Sequence, residues 1–344
     1  MKDYDVFIAG GGVAGSVAAK FIAKGGLKTL FVERYKTPRM KSCSGIQFPY
    51  LEKIVGEKIP PEKLCTNKLN KASIIKPDGK KINAPFEMLN FTRDIFDDWL
   101  NKIAIEYGAE FRDECKLVDW KINPNNIIVN VLDKDKKLEQ FKVKYLIDAT
   151  GLMPMVRMKI RPQDFENRST GATINYYFDG KGDLDPNCLY QYWNLDFNNM
   201  MFAWIYKKND LWVIGTGYDK NISKVGQRFF DFIKKEYNLK GEIVKKEGFS
   251  NTMNVEKNRI HLGEDCILFV GDAAGLVDMY RGLGMDAAAL SGRLAAKAIL
   301  KVEKKGKNRE LVSKIYGHLM RKIVKQTIKN IGKGIYNLKT NEEL

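Results

Sequence analysis

Apolar residues along this chain recur with two periods, and the switches between them mark the elements. Val6-Phe7-Ile8-Ala9 is a short unbroken apolar run, the pattern of a strand buried on both faces. Residues 27–32 supply the next strand, residues 266–270 another buried one, and Tyr145-Leu146-Ile147 leads into Asp148-Ala149-Thr150-Gly151, a strand that ends in a glycine turn. Ile95, Phe96, Trp99, Ile103 and Ala104 instead recur at helical spacing, with Thr92 placed to cap that helix and Gly108 to stop it. Further helices are expected at 51–64, stopped by Pro60-Pro61, at 223–237 and at 285–300. Strands are expected at 70–85 around the turn Pro77-Asp78-Gly79-Lys80, and at 114–123, 126–133 and 139–144. Residues 170–218 alternate apolar and polar and are dense in Tyr, Trp and Phe, which suits an antiparallel sheet.

The first strand runs into Gly10, Gly12 and Gly15, the spacing G-x-G-x-x-G, and then a helix starting near Val13. In that arrangement Gly10 allows the tight turn, Gly12 lets backbone approach a pyrophosphate, and Gly15 lets the helix pack closely on the strand. The helix start aims unpaired N–H groups and a positive dipole end at the phosphates. Glu33 closes the next strand, where a carboxylate bonds a ribose hydroxyl. Strand, turn, helix, strand and acid all agree, so the start of the chain reads as a dinucleotide site. Residues 271–277 form a second strand–glycine–helix junction.

Composition narrows the function. The 344 residues are 44% hydrophobic and 29% charged, enough for a sizeable core and about two domains. There is no apolar run long enough to span a bilayer and no signal-peptide pattern at the start, so a cytoplasmic location is expected. Five scattered cysteines and two histidines offer little material for a zinc ribbon, a disulfide framework or a Ser–His triad. The net charge is +16, and from Lys301 onward twelve Lys and Arg face four Asp and Glu. Leu311, Ile315, Leu319, Ile323, Ile328, Ile331 and Ile335 give this basic tail an apolar stripe. It reads either as a helix packed on the domain or as one lying on an anionic membrane surface. No recognition motif points to nucleic acid.

Three distant segments, the glycine turn with Glu33, the Asp148–Gly151 stretch and Gly271-Asp272-Ala273-Ala274-Gly275, converge on one ligand. Together they resemble the FAD-dependent oxidoreductases of the para-hydroxybenzoate hydroxylase fold. Within that group the chain is most similar to the geranylgeranyl reductases. Lys41-Ser42-Cys43-Ser44-Gly45 resembles their K-P-C-G-G loop. Phe202-Ala203-Trp204-Ile205-Tyr206-Lys207 resembles their Y-G-W-V-F-P segment, and Trp212–Gly217 the strand that follows it. Gly271–Gly275 and Ser291-Gly292-Arg293-Leu294-Ala295-Ala296 match almost letter for letter. The departures are Met279–Met285, where the family has P-x-x-G-E-G-I, and Ser42, Ser44 and Lys207 in place of the usual proline, glycine and proline.

The resemblance implies an α/β chain (α+β overall). A Rossmann-like FAD-binding domain would be built from 1–68, 90–165 and 255–300, and a substrate domain with an antiparallel sheet from 69–89 and 166–254. Residues 301–344 would be a helical tail. It implies non-covalent FAD held by Gly10, Gly12, Ala14, Gly15, Glu33, Arg34, Ser44, Gly45, Arg93, Thr150, Gly151, Gly271, Asp272, Gly284 and Met285. Reduced flavin would pass a hydride from N5 to a C=C bond of an isoprenoid lipid, with Cys43, Gly282 and Gly284 as the catalytic candidates. Tyr190, Tyr192, Trp193, Phe202 and Trp204 would line an apolar substrate tunnel, although aromatics at alternating spacing also suit plain sheet core. A chain with one nucleotide fingerprint needs an external reductant, an acidic ferredoxin or flavodoxin or transient NAD(P)H. The rival readings are an aromatic monooxygenase, a flavin halogenase, and an FAD-bound electron-transfer module at the membrane surface.

Overall fold

The structure is a computed structural model that describes residues 2–166, 170–252 and 259–344. Its centre is a six-stranded sheet ordered Gly263–Glu264, Ile267–Phe269, Tyr145–Asp148, Val6–Ala9, Thr29–Val32, Glu110–Arg112. All neighbours in it pair parallel except the first two. Val6–Ala9, Thr29–Val32 and Tyr145–Asp148 are buried along their whole length, as mainly apolar parallel strands covered on both faces are. The Val13–Lys24 helix crosses from the first strand and packs on the long Met285–Lys304 helix. That contact is close because Gly292 stands against the backbone of Ala14. A four-stranded sheet of Lys2–Asp3, Leu138–Val143, Ile127–Leu132 and Lys116–Ile122 flanks this core.

The second layer is an eight-stranded sheet ordered Lys240–Thr252, Thr170–Lys181, Leu211–Tyr218, Ala203–Lys208, Cys188–Tyr192, Leu69–Ile75, Lys81–Asn90, Ile46–Gln47. It is antiparallel apart from one parallel pair, Cys188–Tyr192 on Leu69–Ile75. One face packs on the Ile222–Glu236 helix through Phe229, Phe230 and Ile233; the other looks towards the first sheet. Ile46–Gln47, inside the stretch expected to belong to the cofactor unit, bonds to this sheet instead. The boundary expected at 254–255 falls at residues outside the described ones.

Several expectations need correcting. The helix expected over 51–64 is Tyr50–Val55, because Gly56 turns left-handed and ends it before the prolines. Thr92 does precede the Arg93–Glu106 helix, but its hydroxyl makes no capping bond and is buried without a partner. Gly271–Ala274 is one 3-10 turn closed by a left-handed Gly275, and the helix begins only at Met285. The tail forms a helix, Val312–Ile331, whose buried side is Val312, Tyr316, Met320 and Ile331, one position on from much of the expected stripe. Leu311 is exposed, while Ile315, Leu319 and Ile323 are half-buried against the core. The Tyr316 hydroxyl donates to the Phe269 carbonyl and ties this helix to the central sheet.

Candidate functional site

Between the two sheets lies a cavity of about 310 Å³. The glycine turn forms one end of it. Gly12 caps the Val13–Lys24 helix with no side-chain bond and no acid in the first turn, and Gly12, Val13 and Ala14 line the cavity. The orphan N–H groups of that helix start are therefore left for a ligand. A Cβ on Gly15 would overlap the Gly10 carbonyl oxygen, whereas one on Gly12 would meet only the end of the Arg39 side chain at 3.2 Å. Gly15 thus serves packing, and Gly12 keeps backbone open towards the cavity. Glu33 is buried, accepts from the Gly11 N–H at 3.2 Å and pairs with Arg39 Nε at 3.0 Å. These features fit a dinucleotide.

The same cavity gathers residues from the rest of the chain. Cys43, Ser44, Arg93, Gly151, Gly271, Asp272, Gly282, Gly284 and Met285 all line it. Arg93 is buried, forks onto Asp97 with two bonds of 2.8 Å and reaches the Cys43 thiol. Burial works against the Arg93 charge, but Asp97 and Cys43 more than offset it and hold the guanidinium firmly protonated. Asp97 also meets Arg39 at 3.3 Å, so one buried carboxylate anchors two guanidiniums. Asp272 faces Lys41 across 3.8 Å. Asp148 is fully buried and accepts from Val156 N–H, Arg157 N–H and the Thr150 backbone and hydroxyl. Burial raises its pKa despite those bonds. Asp148 and Thr150 hold the turn that presents Gly151 to the cavity. Gly10, Gly15 and Gly45 support the walls through backbone packing. Arg34 is exposed, with its guanidinium over Tyr35, and takes no part in the cavity wall.

The eight-stranded sheet supplies the apolar wall, and strand parity decides which aromatics reach it. In register across the sheet, Asn175, Gly215, Trp204, Gln191, Ile74 and Ile82 form one row. The Trp204 indole N–H donates to Asn175 at 2.8 Å. Gly215 lies beneath that bond, and a Cβ there would overlap both partners. Phe202, Trp204, Tyr206, Leu189 and Gln191 line the cavity. Tyr190 and Tyr192 do not: they sit one residue out of phase and pack on the helix side, where the Tyr192 hydroxyl bonds that of Tyr237 at 2.9 Å. Trp193 stacks on Phe202 behind the wall, outside the cavity lining. These three tyrosine and tryptophan assignments are corrected accordingly. Gln191, Leu189, Tyr206 and Asn175 line the cavity instead, in the phase of the period-two pattern that Trp204 sets.

His261 lies away from the cavity lining. Its Nδ1 accepts from the Gly263 N–H at 3.2 Å, and burial, with Arg161 and Arg157 nearby, lowers its pKa to about 4. Among the described residues no cluster of His, Cys, Asp and Glu suits a metal ion.

No family model matches the sequence. Individual proteins do. It is 28% identical over 323 residues to the chloroplastic geranylgeranyl diphosphate reductase of Nicotiana tabacum, covering 89% of this chain and 68% of that one. It is 26% identical over 330 residues to digeranylgeranylglycerophospholipid reductase 3 of Methanosphaera stadtmanae, covering 87% and 79%. The chain is a relative of the geranylgeranyl reductases. In agreement, a geranylgeranyl bacteriochlorophyll reductase-like protein from Thermoplasma acidophilum superposes on it with a TM-score of 0.85 at 20% identity, covering 100% of this chain and 90% of that one. The flavin-dependent halogenase CmlS shares the fold at a TM-score of 0.74 and 20% identity, over 95% of this chain and 63% of that one.

Proposed function

We propose that the protein is an FAD-dependent oxidoreductase that saturates C=C bonds of an isoprenoid or similarly apolar substrate. The observation that carries this reading is the continuity of one cavity, from the uncapped helix start at Gly12 to the wall built by Leu189, Phe202, Trp204 and Met201. A charged dinucleotide suits the first end and an apolar chain the second. FAD would be held without a covalent bond, by Gly12 and Ala14 at its phosphates, Glu33 at its ribose and Asp272, Gly282 and Gly284 further along. When bound and reduced it supplies a hydride. The protein orients the alkene and keeps water from it. Cys43, kept against Arg93, would tune the reacting end. The electrons would come from an acidic donor such as a ferredoxin or flavodoxin, drawn by the +16 charge, or from transient NAD(P)H. No helix among the described residues is long and apolar enough to cross a membrane. The exposed Lys314, Arg321, Lys322, Lys325 and Lys329 of the tail helix would meet an anionic lipid surface.

The test is anaerobic. The purified flavoprotein is reduced with dithionite, freed of excess reductant and mixed with a geranylgeranylated phospholipid or quinone. Return of oxidised flavin, with a product heavier by one H₂ per double bond, is the expected result. Flavin that stays reduced with every isoprenoid offered, and reoxidises only in air, would remove this reading. The monooxygenase and halogenase alternatives would then be tried with phenols and halide.

A further inference from the structure

Saturating a C=C bond adds a hydride to one carbon and a proton to the other. The cofactor supplies the first; the second has to come from the protein or from water. Tyr206 lines the cavity, is only 3% exposed, and its hydroxyl makes no hydrogen bond to a described residue. Other proton carriers nearby are already engaged. The Tyr177 hydroxyl donates to Glu247 at 2.9 Å, the Ser42 hydroxyl reaches the same carboxylate at 3.3 Å, the Tyr50 hydroxyl donates to Asp286 at 2.8 Å, and the Cys43 thiol lies against Arg93. Tyr206 also stands where the Y-G-W-V-F-P segment that this stretch resembles has phenylalanine.

Resting on the reductase reading, we propose that Tyr206 is a catalytic residue, the proton donor to the second carbon of the alkene. Its Oη–H bond breaks, the alkene's π pair forms the new C–H bond with that proton, and water reprotonates the tyrosinate. The hydride brings its own electron pair to the other carbon, so two electrons leave the reduced cofactor and none are left over. Burial, with Tyr177, Cys43 and Glu247 adding to it, holds the Tyr206 pKa well above that of a free phenol. The proton therefore stays on Oη throughout the working pH range.

The experiment compares Tyr206→Phe with the wild type as holoenzymes. Phenylalanine is the residue of the reductase segment, so the variant keeps the shape of the wall. The expected result is a fall in kcat of about 100-fold or more, the range of general acid catalysis, with KM, FAD affinity and melting temperature unchanged. A readout free of turnover accompanies it: 3-fluorotyrosine placed at 206 should shift its fluorine resonance when the alkene is added to the oxidised holoenzyme. Unchanged kcat, a rise in KM alone, or a fluorine signal blind to the alkene would each overturn the proposal. Absence of turnover in the wild type as well would remove the reductase reading itself, and this assignment with it.

Discussion

Gly12 and Gly15 sit three residues apart in one turn, yet the structure gives them separable tasks. A Cβ on Gly12 meets only the far end of the Arg39 side chain at 3.2 Å, and its backbone is extended at φ −85°, which alanine adopts freely. Gly12→Ala should therefore leave stability within about 1 kcal/mol of the wild type. The new methyl would stand on the cavity side of the helix start, holding a pyrophosphate away from the N–H groups. Losing one hydrogen bond to a charged group costs about 1.5–3 kcal/mol, so FAD should bind roughly 10- to 100-fold more weakly. Gly15→Ala is the opposite case. Its Cβ would overlap the Gly10 carbonyl oxygen and press on Ala149, backbone that cannot yield without moving strand from helix. Overpacking of this kind costs about 1–3 kcal/mol. Urea denaturation of the two cofactor-free variants, with FAD titration followed by flavin fluorescence, separates the effects. A folded Gly12→Ala protein with wild-type FAD affinity would refute the claim that this backbone faces the pyrophosphate.

Three further outcomes are expected. Gly215→Ala should expel the Trp204 indole from its bond with Asn175, costing about 2–4 kcal/mol in urea melts and red-shifting tryptophan emission; a wild-type melt would show that Gly215 is not reserving that space. The lowered pKa of His261, about 4, means the unfolded chain takes up a proton that the folded one refuses. Its stability contribution is present above pH 6.5 and is lost as pH falls towards 4, so His261→Gln should flatten the decline in urea midpoint between pH 7 and 5, and an unchanged slope would contradict the assignment. Asn330→Ala removes the bond of 2.5 Å to buried Asp278 and should speed limited proteolysis within 278–284 while leaving the 3-10 turn at Gly271 protected; cleavage at the wild-type rate would mean the tail does not brace that loop.

How much was legible in the sequence depended on whether the signal was local. The glycine turn, the flanking strands and the Arg93–Glu106 helix were all written in contiguous residues, and the cavity's cofactor end could be assembled from them. Two short strands of the six-stranded sheet went unread, Gly263–Glu264 and Glu110–Arg112, and no local pattern announces the pairing of the second with Thr29–Val32. The apolar wall of the cavity was legible in kind but not in phase. Tyr190, Tyr192, Phe202, Trp204 and Tyr206 all look alike as aromatics on alternating strands, and alternation alone does not say which set faces a ligand. Pairing of Gln191 with Trp204 fixes the phase, and that pairing joins two strands through a long loop. The tail shows the same limit. Its apolar stripe was visible, but a helix with Ile and Leu on one side and Val312, Tyr316 and Met320 beside them has two faces to offer. The Tyr316 bond to Phe269, a contact across the fold, selects one.

The loop at 279–285 departs most from the reductase pattern, and the structure shows what replaces the missing residues. Asp278 and Leu283 exchange backbone bonds of 2.9 and 3.1 Å, closing a tight loop. The Asp278 carboxylate, nearly fully buried, accepts from the Arg281 backbone N–H at 3.1 Å, from Arg281 Nε at 2.6 Å and from Asn330 of the tail helix. Arg281 then reaches Asp286, which also receives the Tyr50 hydroxyl. Gly282 sits at φ +64°, a conformation that a side chain would strain, and a Cβ there would press on Met201 and Phe202 at 3.1 Å. A carboxylate one residue before the loop, with a guanidinium inside it, thus does the ordering that a proline and an acid within the loop would otherwise do. Because the third partner of that carboxylate comes from Val312–Ile331, the shape of the cavity wall at Gly282 and Gly284 depends on the docking of the tail helix. The apolar side of that helix is consequently committed to the fold, which leaves its lysine-rich side as the surface on which any anionic partner has to act.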